Sequence, residues 1–191
     1  MDSTDDFSAL IGRRVTEKRS ALGLTLDALA ERTGVSRAMI SRIERSETHA
    51  SAMVLNKLCG GLGISLSNLF ERDDTPPAPL RRRAEQPSWR DPASGYVRRD
   101  VAPPGTGSPV QIVEVDFPVG AEVSFDNFAR DLIDQHIWLI EGEMELEQHG
   151  VTHRLLPGDC LHMRLGARNT FRNPGKKTAR YAVILTMEPI R

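Results

Sequence analysis

The chain has 191 residues, of which 39% are hydrophobic, and this gives room for two modest domains that each bury a core. It contains no apolar run near the roughly 18 residues of a membrane span, and its acidic start, MDSTDD, lacks the features of a signal peptide, so we expect a cytoplasmic protein with no membrane partner. The net charge of −1 excludes a chain that is basic throughout, and Cys59 and Cys160, the two cysteines, form no metal-type cluster and are predicted core residues.

A first helix is predicted over residues 7–22, after six residues that we expect to be disordered. Its apolar positions are Leu10, Ile11, Val15 and Leu22, and its polar positions are Arg13, Arg14, Lys18 and Arg19. The apolar positions recur at helical spacing, so this helix should pack one side against a core.

Residues 24–47 predict two short helices joined by a tight turn. Thr25 is a good N-cap for a helix over residues 26–33. Gly34 ends that helix, because glycine adopts the left-handed conformation that a sharp turn between helices requires. Ser36 then caps a second helix that runs to about residue 45.

The second of these helices has one apolar side and one polar side. Met39, Ile40 and Ile43 are predicted to face the core, and the residues left outward are Ser36, Arg37, Ala38, Ser41, Arg42 and Arg45. Arginine donates two parallel hydrogen bonds to guanine, and serine bonds to bases or phosphates, so this side suits a DNA duplex. Between residues 13 and 45, eight basic residues stand against four acidic ones, so the basic character is local. The alternative interpretation is a helical bundle with a solvated basic side.

The pattern LAxxxGVSxxxISRIE, over residues 29–44, resembles the DNA-binding domain of the Xre family of bacterial and phage repressors. The resemblance implies a lambda-repressor-like bundle of five helices, a homodimer, and a double-stranded operator that is palindromic. It implies that Thr25 and the exposed arginines Arg14 and Arg19 of the first helix contact DNA beside the outward residues 36–45. Leu26 departs from the family, since many members carry a phosphate-binding Gln at this position.

Two further helices, over residues 52–62 and 64–70, complete the predicted bundle, and Ser65 is expected to cap the last one. A segment rich in proline and charge follows and is predicted to be a linker. The expected division is therefore residues 1–72 for DNA binding, 73–94 for the linker and 95–191 for a second domain. Arg81–Arg83 in the linker either contact DNA or are simply solvated.

The last hundred residues predict an all-β sandwich or barrel, because short alternating segments recur between Gly, Pro and Asp turns. The segments are residues 96–101, 110–117, 137–140, 144–147, 152–155, 161–163, 170–172 and 179–187. The motifs LIEGEMELEQHG, LLPGDCLHM and GARNTFRNPG resemble the cupin family in their order. The fold class implied is α + β with two domains, the second a cupin jelly-roll β-barrel.

Cupin enzymes hold a metal with three histidines and a glutamate. Counted from Gly142, the glutamate position of this chain is Gln135, and counted back from Asn173, the late histidine position is Asn169. The early histidine pair falls on Phe128 and Arg130, or on Ala129 and Asp131. Because amides and arginine bind metals poorly in place of imidazole and carboxylate, we predict no metal, no cofactor, no catalytic residues and no enzyme. The alternative kept open is a metal-dependent cupin enzyme, epoxidase- or dioxygenase-like, with a vestigial helix-turn-helix domain.

The cupin interior is instead predicted to bind a small polar effector, such as an amino acid or a related acid. The candidate ligand-binding residues are Gln135, Asn169, Arg130, His162 and Phe171. A second possibility is a filled barrel that serves only to dimerise. In either case we expect the cupin to form the homodimer, through outward apolar residues such as Trp138 and Ile140.

Overall fold

The computed structural model describes residues 3–64, 66–70, 78–126, 134–164 and 168–186. The chain forms two compact units, Met1–Arg72 and Asp73–Arg191. Of the described helices, none combines the length and the apolarity needed to cross a bilayer.

The N-terminal unit is a helical bundle, as predicted. Its first helix starts ahead of the expected residue 7, so the prediction of disorder is wrong for residues 3–6. The amphipathic pattern used to place that start only begins at Phe7. The predicted cap of the last helix, Ser65, lies outside the described residues. The five helices are α1 (Ser3–Ala21), α2 (Leu26–Thr33), α3 (Arg37–Glu44), α4 (Ala52–Leu62) and α5 (Leu66–Phe70).

One apolar core holds the bundle together. The core residues with essentially no exposed surface include Val15, Leu29, Ile40, Leu55, Leu58, Leu69 and Phe70. Each such side chain contributes about 1.5–3 kcal/mol when it is removed from water. The core therefore fixes α3 by its Ile40 and Ile43 side and leaves its other side to solvent.

Helices α1 and α3 approach each other closely at Gly12. A Cβ atom on Gly12 would lie 2.6 Å from the carbonyl oxygen of Ile43 and 2.9 Å from that of Glu44. Real Cβ atoms do not come this near to a backbone oxygen, so only glycine permits the contact. The absence of a side chain at this position sets the distance between the two helices.

The C-terminal unit contains two antiparallel sheets. Its elements are a 3-10 turn (Arg83–Glu85) and strands β1 (Ser88–Arg90), β2 (Val97–Asp100), β3 (Val110–Phe117), β4 (Glu122–Asp126), β5 (Asp134–Glu141), β6 (Met144–Gln148), β7 (Val151–Leu155), β8 (Cys160–Arg164), β9 (Arg168–Arg172) and β10 (Ala179–Thr186). The six-stranded sheet has the order β1-β2-β3-β10-β5-β8, and the four-stranded sheet has the order β4-β9-β6-β7.

The two sheets face each other through buried aromatic side chains. The ring of Phe171, on the four-stranded sheet, stacks on Tyr181 of the six-stranded sheet with centroids 6.2 Å apart. The described strands pair into two sheets rather than one closed barrel, an arrangement compatible with a jelly roll. The α + β fold class is therefore confirmed, and the closed barrel is replaced by a two-sheet sandwich.

All eight predicted strands are present, and two more were not predicted. Strand β4 was missed, and β1 lies inside the predicted linker, where Ser88–Arg90 pairs with Val97–Arg99 of β2. Trp89 of β1 is buried and meets Tyr96 edge-on, with ring centroids 5.9 Å apart. This part of the predicted linker belongs to the C-terminal unit.

Segment 81–83 is also bound to this unit. Arg81 Nη1 donates to the carbonyl oxygen of Ala102 at 3.1 Å, and Arg83 pairs with Glu114 at 3.3 Å. Both arginines thus have partners within the C-terminal unit, so a DNA contact from this run would have to compete with those bonds.

Strand β5 alternates strictly between the interior and the solvent. Gln135, Ile137 and Leu139 are buried, whereas His136 and Trp138 are exposed. The neighbouring strand β8 has the same outward side, on which Cys160 is exposed. The prediction that Cys160 is a core residue is wrong, while Cys59 is buried as expected.

Candidate nucleic-acid interface and interior polar site

The turn between α2 and α3 is built by the predicted local signals. Thr25 Oγ1 accepts a hydrogen bond from Ala28 N at 3.1 Å, and Gly34 ends α2 with φ of 67°. Ser36 Oγ then accepts from Met39 N at 3.2 Å, so the N-terminus of α3 is capped. Two of the N–H groups that a helix start leaves unpaired are thereby satisfied, one on each helix, and both helices begin at fixed residues.

The outward side of α3 is the surface that the sequence predicts for DNA. Thr25, Ser36, Arg37, Ala38, Arg42 and Arg45 are exposed, and Ser41 is half-buried beside them. These α3 residues recur at helical spacing, so they form one face opposite Ile40 and Ile43. We name this face, with Ser36 and Arg45 at its ends, the basic face.

Two arginines of the basic face are paired with carboxylates. Arg45 Nε and Nη2 bind Glu47 Oε1 and Oε2 at 2.7 and 2.8 Å. Arg37 Nε lies 3.2 Å from Asp27 Oδ1 of α2. For Arg42 the structure records no ion pair within the described residues, and its charge acts on Glu47 through space. Arg42 is thus the arginine of this face whose guanidinium is open to a new partner.

The pairing of Arg45 with Glu47 shifts the pKa of both residues. The hydrogen bonds that Arg45 donates to Glu47 raise the pKa of Arg45 and lower the pKa of Glu47, and the charge of Arg42 makes a smaller contribution to the lowering. Both residues are therefore ionised near neutral pH, and the basic face carries one negative charge among its arginines.

The expectation that Arg14 and Arg19 are exposed is wrong, since Arg14 is buried and the side chain of Arg19 is 16% exposed. Arg14 has 8% of its surface exposed. Arg19 Nε and Nη2 bind the two carboxylate oxygens of Glu44, and Nη1 donates to the carbonyl of Leu24. The hydrogen bonds to Glu44 raise the pKa of Arg19. Both arginines are held within the bundle, so their placement favours a structural role over phosphate contact.

The interior of the β unit holds the polar side chains that the sequence places at two metal positions. Gln135 of β5 is buried, and its Nε2 donates to the sulfur of Met163 at 3.7 Å. Asn169 of β9 lies between Phe125 and Gln148 in the register and is 1% exposed. Neither Nδ2 nor Oδ1 of Asn169 has a hydrogen-bond partner among the described residues. A buried amide without partners costs about 1–3 kcal/mol, so this position calls for a ligand or a water.

Aromatic rings border this interior. Phe171, two residues after Asn169, packs edge-on against Phe125 with centroids 5.8 Å apart and stacks on Tyr181. Burial raises the pKa of Tyr181 well above its ordinary value, so its hydroxyl stays protonated. The interior around Asn169 therefore combines neutral amides with aromatic ring surfaces.

His162 lies on the opposite side of the sheet from this interior, so its assignment as a ligand-binding residue is wrong. It pairs with His136 across β5 and β8, and its Nε2 lies 3.1 Å from Asp134 Oδ1. The rings of His136 and His162 are 4.9 Å apart on the solvent side. Gln135 and Met163 occupy the neighbouring register position on the inner side. The remaining predicted ligand residue, Arg130, and the positions Phe128, Ala129 and Asp131 lie outside the described residues.

The residues present do not fit the metal that cupin enzymes hold. Amide groups stand at the two described metal positions, Gln135 and Asn169, and a neutral amide is a poor ligand beside imidazole or carboxylate. Within the described ranges, no group of three or more His, Cys, Asp or Glu side chains is arranged to hold a metal ion.

Sequence reasoning missed the pairing of Arg45 with Glu47. Glu47 and Arg45 are two residues apart, a spacing that does not pair side chains along a helix. The pair forms because the chain turns back after α3 through Ser46, whose φ is 59°. The sequence of residues 45–47 gives one indication of this turn, because α3 ends there without the glycine that usually adopts a positive φ.

Comparison with known proteins matches the helical unit to a family and the whole chain to regulators. The HTH_3 helix-turn-helix family model matches residues 15–69. The HTH-type transcriptional regulator SutR of Escherichia coli (strain K12) is 22% identical over 93% of this chain and 94% of its own length. The HTH-type transcriptional regulator PuuR of the same organism is 24% identical over 85% of this chain and 86% of its own length.

A solved structure shares the fold of the whole chain. The crystal structure of an HTH_3 family transcriptional regulator from Vibrio cholerae superposes with a TM-score of 0.80 and 22% identity, and covers 97% of this chain and 99% of its own. The combination of a helical unit with a two-sheet unit is therefore an established architecture.

Proposed function

We propose that this protein, whose residues 15–69 are an HTH_3 helix-turn-helix domain of the Xre type, is a sequence-specific DNA-binding transcriptional regulator. The observation that carries the proposal is the basic face of α3, held outward by the buried Ile40 and Ile43. The full-length relatives SutR and PuuR are regulators by name, which supports the same conclusion.

The basic face suits insertion into the major groove. Arg42 at the centre of the face is open to guanine O6 and N7, and Ser41 and Ala38 are small enough to lie against base edges. Ser36 and Thr25, at the N-termini of α3 and α2, are placed for phosphate contacts because helix N-termini attract anions. Arg19 then acts by holding α1 against α3 through Glu44.

The regulator acts as a homodimer in this proposal. A single recognition helix reads only a few base pairs, and two-fold dimers read palindromes with half-sites about 34 Å apart. The outer side of the six-stranded sheet is the candidate dimer surface, because Trp138 is 48% exposed and Ile112 is 37% exposed on adjacent rows of that sheet. Light scattering at micromolar concentration tests this point. We expect a dimer for the wild type and a monomer for Trp138→Glu, and a wild-type monomer contradicts it.

The interior of the β unit binds a small polar effector in this proposal. The unpartnered amide of Asn169 carries the argument, since it offers two donors and an acceptor in an enclosed place. Phe171 and Tyr181 provide flat apolar surfaces beside it. Calorimetry against a panel of amino acids and small carboxylic acids tests this. Heat with one compound, lost in Asn169→Leu, supports a sensor, and no heat with any compound leaves the unit a dimerisation module.

We assign no catalytic role to the β unit. The rival function is a cupin enzyme, and the amides at Gln135 and Asn169 argue against it because they replace metal ligands with weak donors. Metal analysis of the purified protein separates the two functions. Stoichiometric iron or manganese, retained by the wild type and lost on substitution of Gln135 or Asn169, would favour the enzyme.

Selection of bound duplexes from random DNA tests the regulator itself. We expect enrichment of a palindromic sequence, and a shift in affinity when the effector is added. Failure to enrich any sequence, with the protein folded and dimeric, would overturn the proposal.

A further inference from the structure

Arg45 ends the basic face with three of the roughly five N–H donors of its guanidinium already engaged. Its Nε and Nη2 atoms hold both oxygens of Glu47 at 2.7 and 2.8 Å, and its Nη1 donates to Ser41 Oγ at 2.7 Å. The Nε–Nη2 edge is one that would grip a phosphate or a guanine in a bidentate manner. A duplex must therefore displace Glu47 before it gains that edge.

The backbone, and not only the side chains, places Glu47 there. Ser46 N donates to Ile43 O at 2.9 Å, and Glu47 N donates to Arg42 O at 2.9 Å. These are the two hydrogen bonds of a Schellman motif, with Ser46 in the left-handed conformation at φ 59°. Because this motif fixes the chain direction after α3, Glu47 returns to the side on which Arg45 lies.

The other arginines of the basic face are less restrained. Arg37 meets Asp27 at 3.2 Å, with both side chains more than half exposed, and Arg42 has no recorded ion pair within the described residues. Arg45 is therefore the arginine of this face that an acidic neighbour grips in a bidentate manner. Arg37 and Arg42 therefore serve as comparisons for Arg45 on the same face.

We propose that Glu47 is a specificity determinant, an internal competitor that holds Arg45 away from nonspecific phosphates and yields it only to a sequence that offers a bidentate acceptor. The inference rests on the proposed DNA-binding function. The affinity for nonspecific DNA depends mainly on the number of phosphates that basic residues contact. An arginine whose charge is already neutralised by Glu47 therefore adds little to that affinity. An operator that offers a bidentate acceptor replaces Glu47 as the partner of Arg45, which offsets the loss of the ion pair. The ratio of operator affinity to nonspecific affinity therefore rises.

The effect should be modest, because both side chains are half exposed and an exposed ion pair is weak. For Glu47→Gln we expect the affinity for a random duplex to rise about two- to fivefold, which is the range that an exposed ion pair supplies. The slope of log K against log salt should steepen by about 0.9, the value for one added phosphate contact. Affinity for the selected operator should change less, so selectivity falls.

A double-mutant cycle separates this role from a general gain of positive charge. Glu47→Gln is measured alone and in an Arg45→Ala background, against the selected operator and a random duplex of the same length. Glu31→Gln, which removes an exposed charge on α2, is the matched control. Urea unfolding of each variant checks that the bundle remains folded.

We expect the effect of Glu47→Gln to vanish in the Arg45→Ala background, and Glu31→Gln to leave selectivity unchanged. An equal effect of Glu47→Gln in both backgrounds, or an equal gain for both duplexes, overturns the inference while the DNA-binding function stands. A wild-type protein that binds neither duplex overturns the proposed function and this inference together.

Discussion

Arg19 of α1 binds Glu44 of α3 through two hydrogen bonds, of 2.6 and 2.9 Å, between the guanidinium and the carboxylate. The side chains of this pair are 16% and 11% exposed. A third bond, from Nη1 to the carbonyl oxygen of Leu24, ties the same arginine to the loop before α2 at 2.8 Å. The position of the recognition helix α3 thus depends on a residue that sequence reasoning assigned to DNA.

Substitution of this arginine should lower the stability of the helical unit. Arg19→Ala leaves Glu44 and the Leu24 carbonyl without their donor, so we expect a loss of about 1–3 kcal/mol in the free energy of unfolding. Arg13→Ala is the control, because Arg13 is 57% exposed and lies 3.9 Å from Glu17. Its loss should stay below about 0.5 kcal/mol. Urea denaturation measures both, and equal small losses would contradict the structural role of Arg19.

Gly12→Ala should destabilise the bundle, although alanine normally favours a helix over glycine by about 1 kcal/mol. The added Cβ would meet the carbonyl oxygens of Ile43 and Glu44 at 2.6 and 2.9 Å, so α3 must move away from α1. We expect a net loss of about 1–3 kcal/mol from overpacking. Ser20→Ala on the exposed side of α1 is the control and should be neutral or slightly stabilising. Thermal unfolding followed by circular dichroism distinguishes the two, and a more stable Gly12→Ala protein would show that the contact yields easily.

Arg42→Ala should reduce both affinity and selectivity for the operator. A bidentate contact from this arginine to guanine is worth about 1–3 kcal/mol, and its loss should relax discrimination at one base pair. Arg13→Ala, an exposed residue of α1 outside the basic face, should leave the base preference unchanged. Fluorescence anisotropy with the operator and single-base variants provides the measurement. Unchanged operator binding by Arg42→Ala would mean that another side of the unit reads DNA.

Two asparagines on and beside β9 should respond oppositely to the same substitution. Asn169→Leu removes a buried amide that has no described partner, so we expect the free energy of unfolding to rise by about 1–3 kcal/mol. Asn173→Leu should lower it by a similar amount, about 1–3 kcal/mol. Asn173 Nδ2 donates to the Phe117 and Lys177 carbonyls, and its Oδ1 accepts from Gly175 N, each at 2.9 Å. Calorimetric unfolding without ligand tests the contrast. A loss of stability in Asn169→Leu would indicate that the amide is satisfied in solution.

The titration of Glu47 should depend on Arg45. The hydrogen bonds from Arg45 lower the pKa of Glu47 below its ordinary value of 4.5. A depressed carboxyl pKa means that the ion pair is intact at higher pH and is lost as the pH falls through that lowered value. Arg45→Ala should move the titration midpoint upward, because the hydrogen bonds that lower the pKa of Glu47 are removed. Carbon NMR of the Glu47 carboxyl group measures the midpoint. The same midpoint in the wild type and in Arg45→Ala would mean that the ion pair does not form in solution.

Local signals explain why the helical unit was predictable. Thr25, Gly34 and Ser36 act within three or four residues of their own positions, and the apolar side of α3 follows from helical spacing. Arg19 and Glu44 are 25 residues apart in the chain, so the periodicity of the sequence does not predict their pairing. Burial of a charged side chain against a distant partner is a property of the packed bundle.

Two causes explain the errors in the β unit: the unknown inward side of a strand and the short length of β1. His162 was placed inside because alternation along β8 does not say which set of residues faces inward. The register settles it, since His162 lies opposite the exposed His136. Strand β1 has three residues and lies in a segment rich in proline and charge, so it carries no alternation to detect. Gln135 and Asn169 are buried as expected, because counting from a nearby turn motif fixes the side of the strand on which each lies.

The attachment of Trp89 to Tyr96 determines how the C-terminal half can be prepared alone. A fragment cut at residue 95 would lack β1, and Tyr96, which packs on Phe117 with centroids 5.9 Å apart, would lose its contact with the indole of Trp89. It would also lack Arg81, whose guanidinium caps the carbonyl of Ala102. A fragment of the C-terminal unit for crystallisation or ligand screening should therefore begin near residue 78, well ahead of the boundary that composition suggests.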